Sequence, residues 1–562
     1  MRIERMNMRR LGAIAAMVAV CGSGTVCAQV SKKSAEENAK KPVTPVIADV
    51  SEGDLNGANP MSQGLLLDGL IAQWHATADG SNYKLVKDDI DHHMKPDGSL
   101  DVSGMDAISL AQSVLTLYRV TLDQKYFKVA QTIYDEASSR LAGDEKLPSP
   151  VSYALLPFVA GFAATVKDTK GFDAAANALL SRDLSQQGQP EKGRTVRPDA
   201  VAWHAAALVD TLQWLPENYG KRALLTEELH RSLPGALSVP DGPGPGKNIG
   251  GYAALKAVRL GLVLAGEGPT APPKASPPAS STPPSTEDEA KPAHDTGLVA
   301  AEKLLDSEKQ QESTARLAQK TTVGADAWFN HQFRKNALGE KELFHYKWND
   351  DENSGFAFFG RAFQRYGAKL ATVDRPTAES LRGVNVYIIA SPDIPSKNPN
   401  PNYVQPEDVD AIAKWVNAGG VLLLMQNDGP NAEFEHFNTL SERFGIHFNA
   451  VVRNHVEGTH WEQGKVIIPA GTTTVFKDAH TAYMKDTCTI APQAPAVPVL
   501  RDLVNNSGDV YMAIASYGKG KVYAVVDPWF YNEYTDGRKL PAEYDNFAAA
   551  KELARWALEQ VK

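Results

Sequence analysis

The sequence predicts two domains of different class: an all-α domain in its first half and an α/β domain in its second half. Three observations carry this prediction. Between residues 61 and 265 the apolar residues recur at helical spacing, and no segment has the pattern of a strand. From residue 325 onward, short β-branched runs alternate with helical stretches, which is typical of a flavodoxin-like domain with a mostly parallel sheet. A proline-rich stretch separates the two patterns.

The first 28 residues have the pattern of a secretory signal peptide. Four arginines precede an apolar run at 11–20, and Val26, Cys27 and Ala28 fit the small-residue cleavage pattern. Cleavage after Ala28 leaves Cys488 as the last cysteine, so we expect no internal disulfide. We therefore predict export across the inner membrane to the periplasm. Residues 29–60, which are polar and lysine-rich, are predicted to form a disordered leader.

Residues 61–267 are predicted to form the helical domain, with about nine helices. The clearest amphipathic segments lie at 106–118, 124–140, 152–166 and 201–214. Residues 268–324 are predicted to combine a proline-rich linker with a charged helix.

Residues 325–562 are predicted to form the α/β domain. Strands are expected at 369–373, 385–390 and 421–425, with helices at 356–366 and 406–418. A hairpin is expected to pair 509–516 with 521–526 around Gly518 and Gly520.

The net charge of -9 and the pI of about 5.9 argue against a nucleic acid or an anionic membrane as partner. No later segment approaches the length of a membrane-spanning helix. Asp89, Asp91, His92 and His93 have no second ligand group at a fitting spacing, so we predict no metal site and no cofactor.

Three strands of the second domain are predicted to end in acidic, amide or aromatic residues. Ligands of open α/β sheets bind outside the carboxyl ends of the strands, so these ends form a candidate site for sugar recognition. The alternative is that the aromatic residues pack against the helical domain as an interdomain surface. The residues of this strand-end cluster are Asp393, Asn427, Asp428, Asp527, Trp529, Tyr531, Asn532, Glu533, Asp536 and Arg538.

Four segments of the helical domain occur in the order found in a known group of enzymes. They are MDAISLAQSVLTLYRVTLDQKY at 105–126, YALLPF at 153–158, WHAAALVDTLQWLP at 203–216 and GYAALKAVRLG at 251–261. Together they resemble the unsaturated glucuronyl and rhamnogalacturonyl hydrolases, glycoside hydrolase families 88 and 105. The second domain is similar to an extra C-terminal domain of some members, through WNDDENSG at 348–355, PNY at 401–403, QND at 426–428 and DPWFYNE at 527–533.

The resemblance implies an (α/α)6 toroid and an unusual reaction. Such enzymes remove the unsaturated uronic acid that lyases leave on pectic oligosaccharides, by hydrating its vinyl ether double bond. Asp106 matches one of the family's two active-site aspartates, and Tyr153, Trp203 and His204 are the implied substrate-binding residues. The resemblance also implies oligosaccharide or polysaccharide fragments as partners.

The chain departs from the family pattern at the position of the main catalytic aspartate. Alignment on Tyr153 and Pro157 places Pro150 there, and proline cannot transfer a proton. Several helices of the toroid also have no counterpart. Two interpretations lead: an enzyme with a moved acid, for which Asp199 is the best candidate ahead of Asp89 or Asp91, or an inactive carbohydrate-binding or scaffolding protein whose ligand lies at the strand-end cluster. A third interpretation is an enzyme whose chemistry takes place at Asp393, Asp428 and Asp527.

Overall fold

The structure is a computed structural model that describes residues 60–142, 149–181, 199–239, 245–263, 296–312, 317–471 and 474–561. The predicted signal peptide and proline-rich stretch lie outside the described residues, as do residues 29–59 of the predicted leader. The helical first half and the α/β second half are confirmed.

The helical half contains ten described helices. They are α1 (Pro60–Thr77), α2 (Gly80–His92), α3 (Met105–Thr121), α4 (Gln124–Ala142), α5 (Ser149–Val166), α6 (Thr169–Leu180), α7 (Asp199–Leu212), α8 (Arg222–Leu237), α9 (Gly246–Arg259) and α10 (Thr296–Glu312).

Six of these helices contact one another in a closed cyclic order. The order is α1, α3, α5, α7, α9 and α10, and α10 returns to α1. Helices α2, α4, α6 and α8 each bridge two consecutive members of this ring. Two glycines of α1 permit close approach: a Cβ at Gly64 would lie 2.2 Å from the carbonyl oxygen of Ser109 in α3, and one at Gly69 would lie 3.0 Å from that of Ala300 in α10.

The ring position explains why some helices are apolar on every side. Residues 151–163 of α5 and 202–212 of α7 are buried throughout, because neighbouring helices cover them on all faces. The charged stretch grouped with the linker in the sequence contains α10, which packs against α9 and α1 in this ring.

The α/β half contains thirteen described strands and four α-helices. The strands are β1 (Thr322–Asp326), β2 (Gln332–Lys335), β3 (Lys341–Phe344), β4 (Lys369–Val373), β5 (Val386–Ala390), β6 (Val421–Met425), β7 (Ile446–Arg453), β8 (Lys465–Ile468), β9 (His480–Tyr483), β10 (Thr487–Pro492), β11 (Val497–Arg501), β12 (Val510–Tyr517) and β13 (Gly520–Val525). The helices are α11 (Ala357–Gln364), α12 (Pro406–Ala418), α13 (Glu435–Ser441) and α14 (Asn546–Glu559).

The main sheet has nine strands in the order β4-β1-β5-β6-β13-β12-β10-β7, with β11 also paired to β12. Strands β4, β1, β5, β6 and β13 are parallel, whereas β12, β11, β10 and β7 pair antiparallel. The expected mostly parallel sheet is therefore mixed. The reason is that the chain from β10 to β13 carries no crossover helix, and parallel pairing needs one. The hairpin expected around Gly518 is confirmed as β12 and β13.

The two halves are joined by specific contacts. The indole Nε1 of Trp74 donates to the carbonyl oxygen of Asp536 at 2.7 Å, and its ring lies 4.8 Å from that of Phe358. The guanidinium of Arg538 donates to the carbonyl oxygen of Val120 at 2.7 Å. Trp74 is fully buried, so this junction is part of a common core.

Candidate functional site

A cavity of about 600 Å³ lies where the ring meets the α/β half. The C-terminal parts of all six ring helices line it, and its roof consists of the β2–β3 hairpin, residues 348–351 and α11. A volume of this size falls within the range of small-molecule sites in proteins.

A pair of carboxyl groups stands on the ring side of the cavity. Asp68 lies on α1 in the middle of the apolar run 65–71, and Asp210 lies near the C-terminal end of α7. Burial raises the pKa of the Asp68 carboxyl well above its usual value, and the nearby charge of Asp210 raises it further. Among the described residues, Asp68 has electrostatic contacts with Asp210 and Lys256 but no hydrogen bond.

Asp210 has different surroundings from Asp68. The Nζ of Lys256 donates to its Oδ1 at 2.5 Å, and the hydroxyl of Tyr252 donates to both oxygens at 2.8 and 3.0 Å. Lys256 also donates to the Tyr252 hydroxyl at 2.8 Å. Both donors come from α9, where residues 252 and 256 share one face because they are four positions apart. These charged and neutral donors hold the Asp210 side chain in place.

A neutral imidazole lines the same cavity. His75 lies two helical turns after Asp68 on α1, so both side chains are on the same face of the helix. Burial and the charge of Arg361 hold the pKa of His75 well below its usual value. The imidazole is therefore uncharged at neutral pH.

The cavity carries a small excess of positive charge. Among the described residues, seven lysine or arginine side chains line it against six aspartate or glutamate side chains. Protonation of Asp68 increases this excess. An anionic ligand therefore suits the cavity better than a cationic one.

The two acids singled out by sequence lie elsewhere. Asp106 is exposed in the first turn of α3, and Asp199 is the first residue of α7. Neither acid is among the residues that line the cavity. Gln112, the first residue of α3 that does line it, is six residues after Asp106, a separation of about 9 Å along the helix. The structure therefore brings neither acid to the cavity, and the roles predicted for them stay predictions.

The three predicted substrate-binding residues separate into different places. Tyr153 lines the cavity, and the centre of its ring lies 5.3 Å from that of the buried Trp203, with the two rings tilted against each other. His204 is buried toward α8, with its Nε2 3.6 Å from a carboxylate oxygen of Glu228. Only Tyr153 of the three reaches the cavity.

The carboxyl ends of β5, β6 and β13 are adjacent in the sheet, as the sequence predicts for the strand-end cluster. The acids there are engaged by their own chain. Asp393 accepts from the backbone N–H of His331 at 2.8 Å and from the Nε2 of Gln332 at 2.7 Å. Asp527 accepts from the backbone N–H groups of Lys485 and Trp529 at 2.9 and 2.8 Å. Hydrogen bonds within the chain therefore engage two of the carboxylates at the edge where a ligand was expected, and the site predicted there stays a prediction.

Two further members of the strand-end cluster lie at the end of β6. Asp428 is buried and accepts from the Nδ2 of Asn431 at 2.6 Å. Asn427 is fully buried, and its Oδ1 accepts from the backbone N–H of Asp428. Among the described atoms, the Nδ2 of Asn427 has no hydrogen-bond partner.

The rest of the strand-end cluster is divided between the core and the junction of the two halves. Tyr531 is fully buried and shares a hydrogen bond with Tyr523. The other contacts are Asn532 to the Ser354 carbonyl, Glu533 to Lys539, Asp536 to Arg538, and Trp529 at the margin of the buried core. Asp536 and Arg538 thus contribute to an interdomain surface, whereas the alternative interpretation assigned that role to the aromatic residues of this cluster.

Sequence reasoning missed Asp68 and Lys256 as site residues, and it noted Asp210 only within a motif. Each is a single charged residue in an otherwise apolar helical stretch: LLLDGLI at 65–71, ALVDTL at 207–212 and ALKAV at 254–258. Lone charges on a buried helical face are rare unless they are paired. That signal was available in the sequence.

Comparisons with known proteins give limited information. No protein-family model matches the chain. No curated protein matches it either. Solved structures that resemble it include a family 105 glycoside hydrolase of C. acetobutylicum ATCC 824, with 16% identity over 51% of this chain and 82% of that one at a TM-score of 0.32. A family 88 glycosyl hydrolase from Bacteroides vulgatus has 12% identity over 46% and 94%, at 0.34. The mmIFT52 N-terminal domain has 19% identity over 42% and 97%, at 0.32. These values are too low to assign a family.

Among the described residues, no helix is both long and apolar enough to cross a bilayer. No group of three or more His, Cys, Asp or Glu side chains within the described ranges is arranged to hold a metal ion.

Proposed function

We propose that the protein is a carbohydrate-active enzyme whose acid–base pair is Asp68 and Asp210. One observation carries this proposal: two neighbouring carboxyl groups in a cavity have different surroundings. Burial beside a second carboxylate raises the pKa of Asp68 and favours its neutral acid, whereas Asp210 accepts hydrogen bonds from Lys256 and Tyr252. Sites that cleave or hydrate sugars need a proton donor and a proton acceptor poised in this way.

The substrate class we propose is an acidic oligosaccharide fragment. The positive excess of the cavity supports an anionic ligand. The motif resemblance supports the unsaturated uronic acid at the non-reducing end of lyase-generated pectic oligosaccharides. The ring of six helices supports an abridged (α/α)6 toroid, and the N-terminal sequence pattern supports export to the periplasm.

Hydration of the vinyl ether follows from the two carboxyl groups. Asp68 transfers its proton to one carbon of the double bond. Water adds to the other carbon and gives a proton to the carboxylate of Asp210. The hemiketal formed in this way then opens and releases the next sugar. The two acids exchange protonation states during the cycle, and proton transfer through solvent restores them.

The competing proposal is an inactive carbohydrate-binding or scaffolding protein with its ligand at the strand-end cluster. The observation in its favour is the Nδ2 of Asn427, which has no hydrogen-bond partner among the atoms that the structure describes. Asp393 and Asp527 count against it, because backbone N–H groups and the Gln332 side-chain amide already donate to their oxygens.

The test is a spectroscopic assay on the mature protein. Unsaturated rhamnogalacturonan and glucuronan disaccharides absorb in the ultraviolet through their conjugated double bond, and hydration removes this signal. We expect Asp68→Asn to lower the rate by about 10²- to 10⁴-fold, the usual contribution of a positioned acid. Asp106→Asn is the matched control, and we expect it to remain active.

The outcomes separate the interpretations. Loss of activity in Asp106→Asn, with activity retained in Asp68→Asn, would indicate that the reaction takes place at the N-terminal end of α3, near Asp106. A flat trace from folded wild-type protein on all substrates would rule out the hydrolase and favour the competing proposal.

A further inference from the structure

The roof of the cavity holds a carboxylate between two arginines. Asp351 accepts from the Nε and Nη2 of Arg119 at 2.9 and 2.7 Å, through its Oδ2. Its Oδ1 accepts from the Nη2 of Arg361 at 2.9 Å. Arg119 belongs to ring helix α3, whereas Arg361 belongs to α11 of the α/β half, so Asp351 links the two halves.

All three side chains line the cavity that contains Asp68 and Asp210. The side chain of Asp351 is 8% exposed, and the charges of Arg119 and Arg361 hold its pKa well below its usual value despite burial. Two guanidinium groups around one carboxylate are the arrangement that proteins use to bind anionic ligands.

The arginine pair has donor capacity that Asp351 does not use. Among the described atoms, the Nη1 of Arg361 is buried and has no hydrogen-bond partner. A buried N–H without an acceptor is costly, more so on a charged group. The neutral imidazole of His75 is close to this guanidinium and adds no competing charge. The free donor therefore stands beside the cavity without an acceptor of its own.

We infer that Arg119 and Arg361 form an anion subsite that Asp351 of this chain occupies as an internal carboxylate, and that the carboxylate of a small sugar acid displaces it. The inference rests on the proposed function for the kind of ligand. It does not depend on turnover, because the arginines contact the ligand's carboxylate and not the bond that reacts.

The neighbours of the subsite suit a sugar ring attached to that carboxylate. The indole of Trp214 lies beneath the Arg119 guanidinium, 4.8 Å from it, and also lines the cavity. Trp348 lines the roof next to Asp351. Aromatic faces pack against the apolar faces of sugar rings, so a uronic acid fits here better than a simple anion.

Displacement of Asp351 would also loosen the junction of the two halves. Arg119 is in the ring, and Asp351 lies on the loop between β3 and α11. Arg119 additionally donates to the carbonyl oxygen of Asn349 on this loop at 3.3 Å. The internal carboxylate thus both competes with the ligand and holds the roof over the cavity.

The experiment measures binding of D-glucuronate by calorimetry, with D-glucose as the neutral probe. Asp351→Asn removes the competing charge and keeps the shape of the side chain. We expect it to bind glucuronate roughly tenfold more tightly than wild type, a typical coupling between two ligands of one site. We expect no comparable increase in affinity for glucose. Arg361→Gln added to Asp351→Asn should abolish the increase in affinity for glucuronate.

Arg538→Gln is the matched control, because it weakens the junction through Val120 without freeing the arginine pair. An equal gain in glucuronate affinity in Arg538→Gln would overturn the inference, because it would attribute the gain to a loosened junction between the two halves. An equal gain in glucose affinity would overturn it for the same reason. No gain in folded Asp351→Asn would also overturn it.

Two further variants complete the experiment. If Asp351→Asn does not fold, Arg361→Gln in the wild-type background decides: glucuronate binding should weaken about tenfold, and unchanged binding would contradict the subsite. Asp68→Asn should lose turnover of unsaturated substrates and keep glucuronate binding, so failure of the hydrolase and failure of the subsite give different results.

Discussion

The helical ring and the edge of the sheet both bring acidic side chains together, but the two regions differ in the hydrogen-bond partners that these side chains have. At the edge of the sheet, Asp393 and Asp527 accept hydrogen bonds from backbone N–H groups of their own chain. In the ring, Asp68 lies in a cavity beside Asp210, with no hydrogen bond among the described residues. An acid bound to the backbone is committed to the fold, whereas an acid kept unsatisfied in a cavity is available for chemistry.

The largest expected effect comes from Asp210→Asn, which leaves the buried ammonium of Lys256 without its anion. Removal of one partner from a buried pair costs about 3–5 kcal/mol of unfolding free energy. Urea unfolding followed by circular dichroism measures it. Asp527→Asn is the control at the sheet edge. We expect a loss of about 1–2 kcal/mol there, because asparagine keeps one acceptor. A larger loss of unfolding free energy in Asp527→Asn than in Asp210→Asn would contradict this difference between the two regions.

A second effect concerns an ionic cluster in the α/β half, where His480 bridges Asp545 and Glu552 at 2.7 and 3.1 Å. Burial opposes the charged form, but the hydrogen bonds that the imidazolium donates to these two carboxylates raise the pKa of His480 to about 9. The imidazolium therefore stabilises the folded state fully below the unfolded pKa of about 6.5, and this contribution is lost as pH rises through about 9.

We expect the loss to be about 2 kcal/mol after allowance for screening, since Asp545 is partly exposed. Unfolding free energies at pH 6 and pH 9.5 measure it. His480→Gln should show a much smaller difference between the two pH values. An equal difference in both proteins would assign the pH dependence to other groups.

The sequence predicts the class of each half because periodicity is a local property. The apolar spacing of residues 106–118 and the β-branched runs before Asp393 and Asp428 follow from patterns within one element. Antiparallel pairing of β7, β10 and β11 was missed, because it depends on which distant segments meet. The cavity was missed for the same reason: Asp68, Asp210 and Lys256 are far apart in the chain, and only closure of the ring by α10 brings them together.

The same reasoning explains the partial success at the sheet edge. Parallel strands bring Asp393, Asp428 and Asp527 to one side, and the sequence predicts that arrangement. It does not show that the backbone N–H groups of His331, Lys485 and Trp529 would occupy the carboxylates. Whether an acid is free depends on loop conformation, which periodicity does not encode.

A third prediction tests whether the buried Asp68 lowers the stability of the folded protein. Its pKa is raised in the folded state, so folding favours the protonated acid and loses stability as pH rises above the usual value of about 4. Asp68→Asn removes this cost, and we expect a gain of about 1 kcal/mol at pH 7, within the range seen when a functional strain is relieved. The gain should vanish near pH 4. A loss of stability at pH 7 would show that Asp68 serves the fold, as the acids of the sheet edge do.

The smallest effect is expected at Asp106, the acid that the motif resemblance favours. It is exposed in the first turn of α3, where its charge interacts with the helix dipole. Such an interaction contributes about 0.3–1 kcal/mol and is screened by salt. Asp106→Asn should therefore lose about 0.5 kcal/mol in dilute buffer and match wild type in 1 M sodium chloride. A gain in stability that persists in salt would instead show that Asp106 destabilises the fold. Asp106, at the N-terminal end of α3, would then become the better candidate for a functional acid.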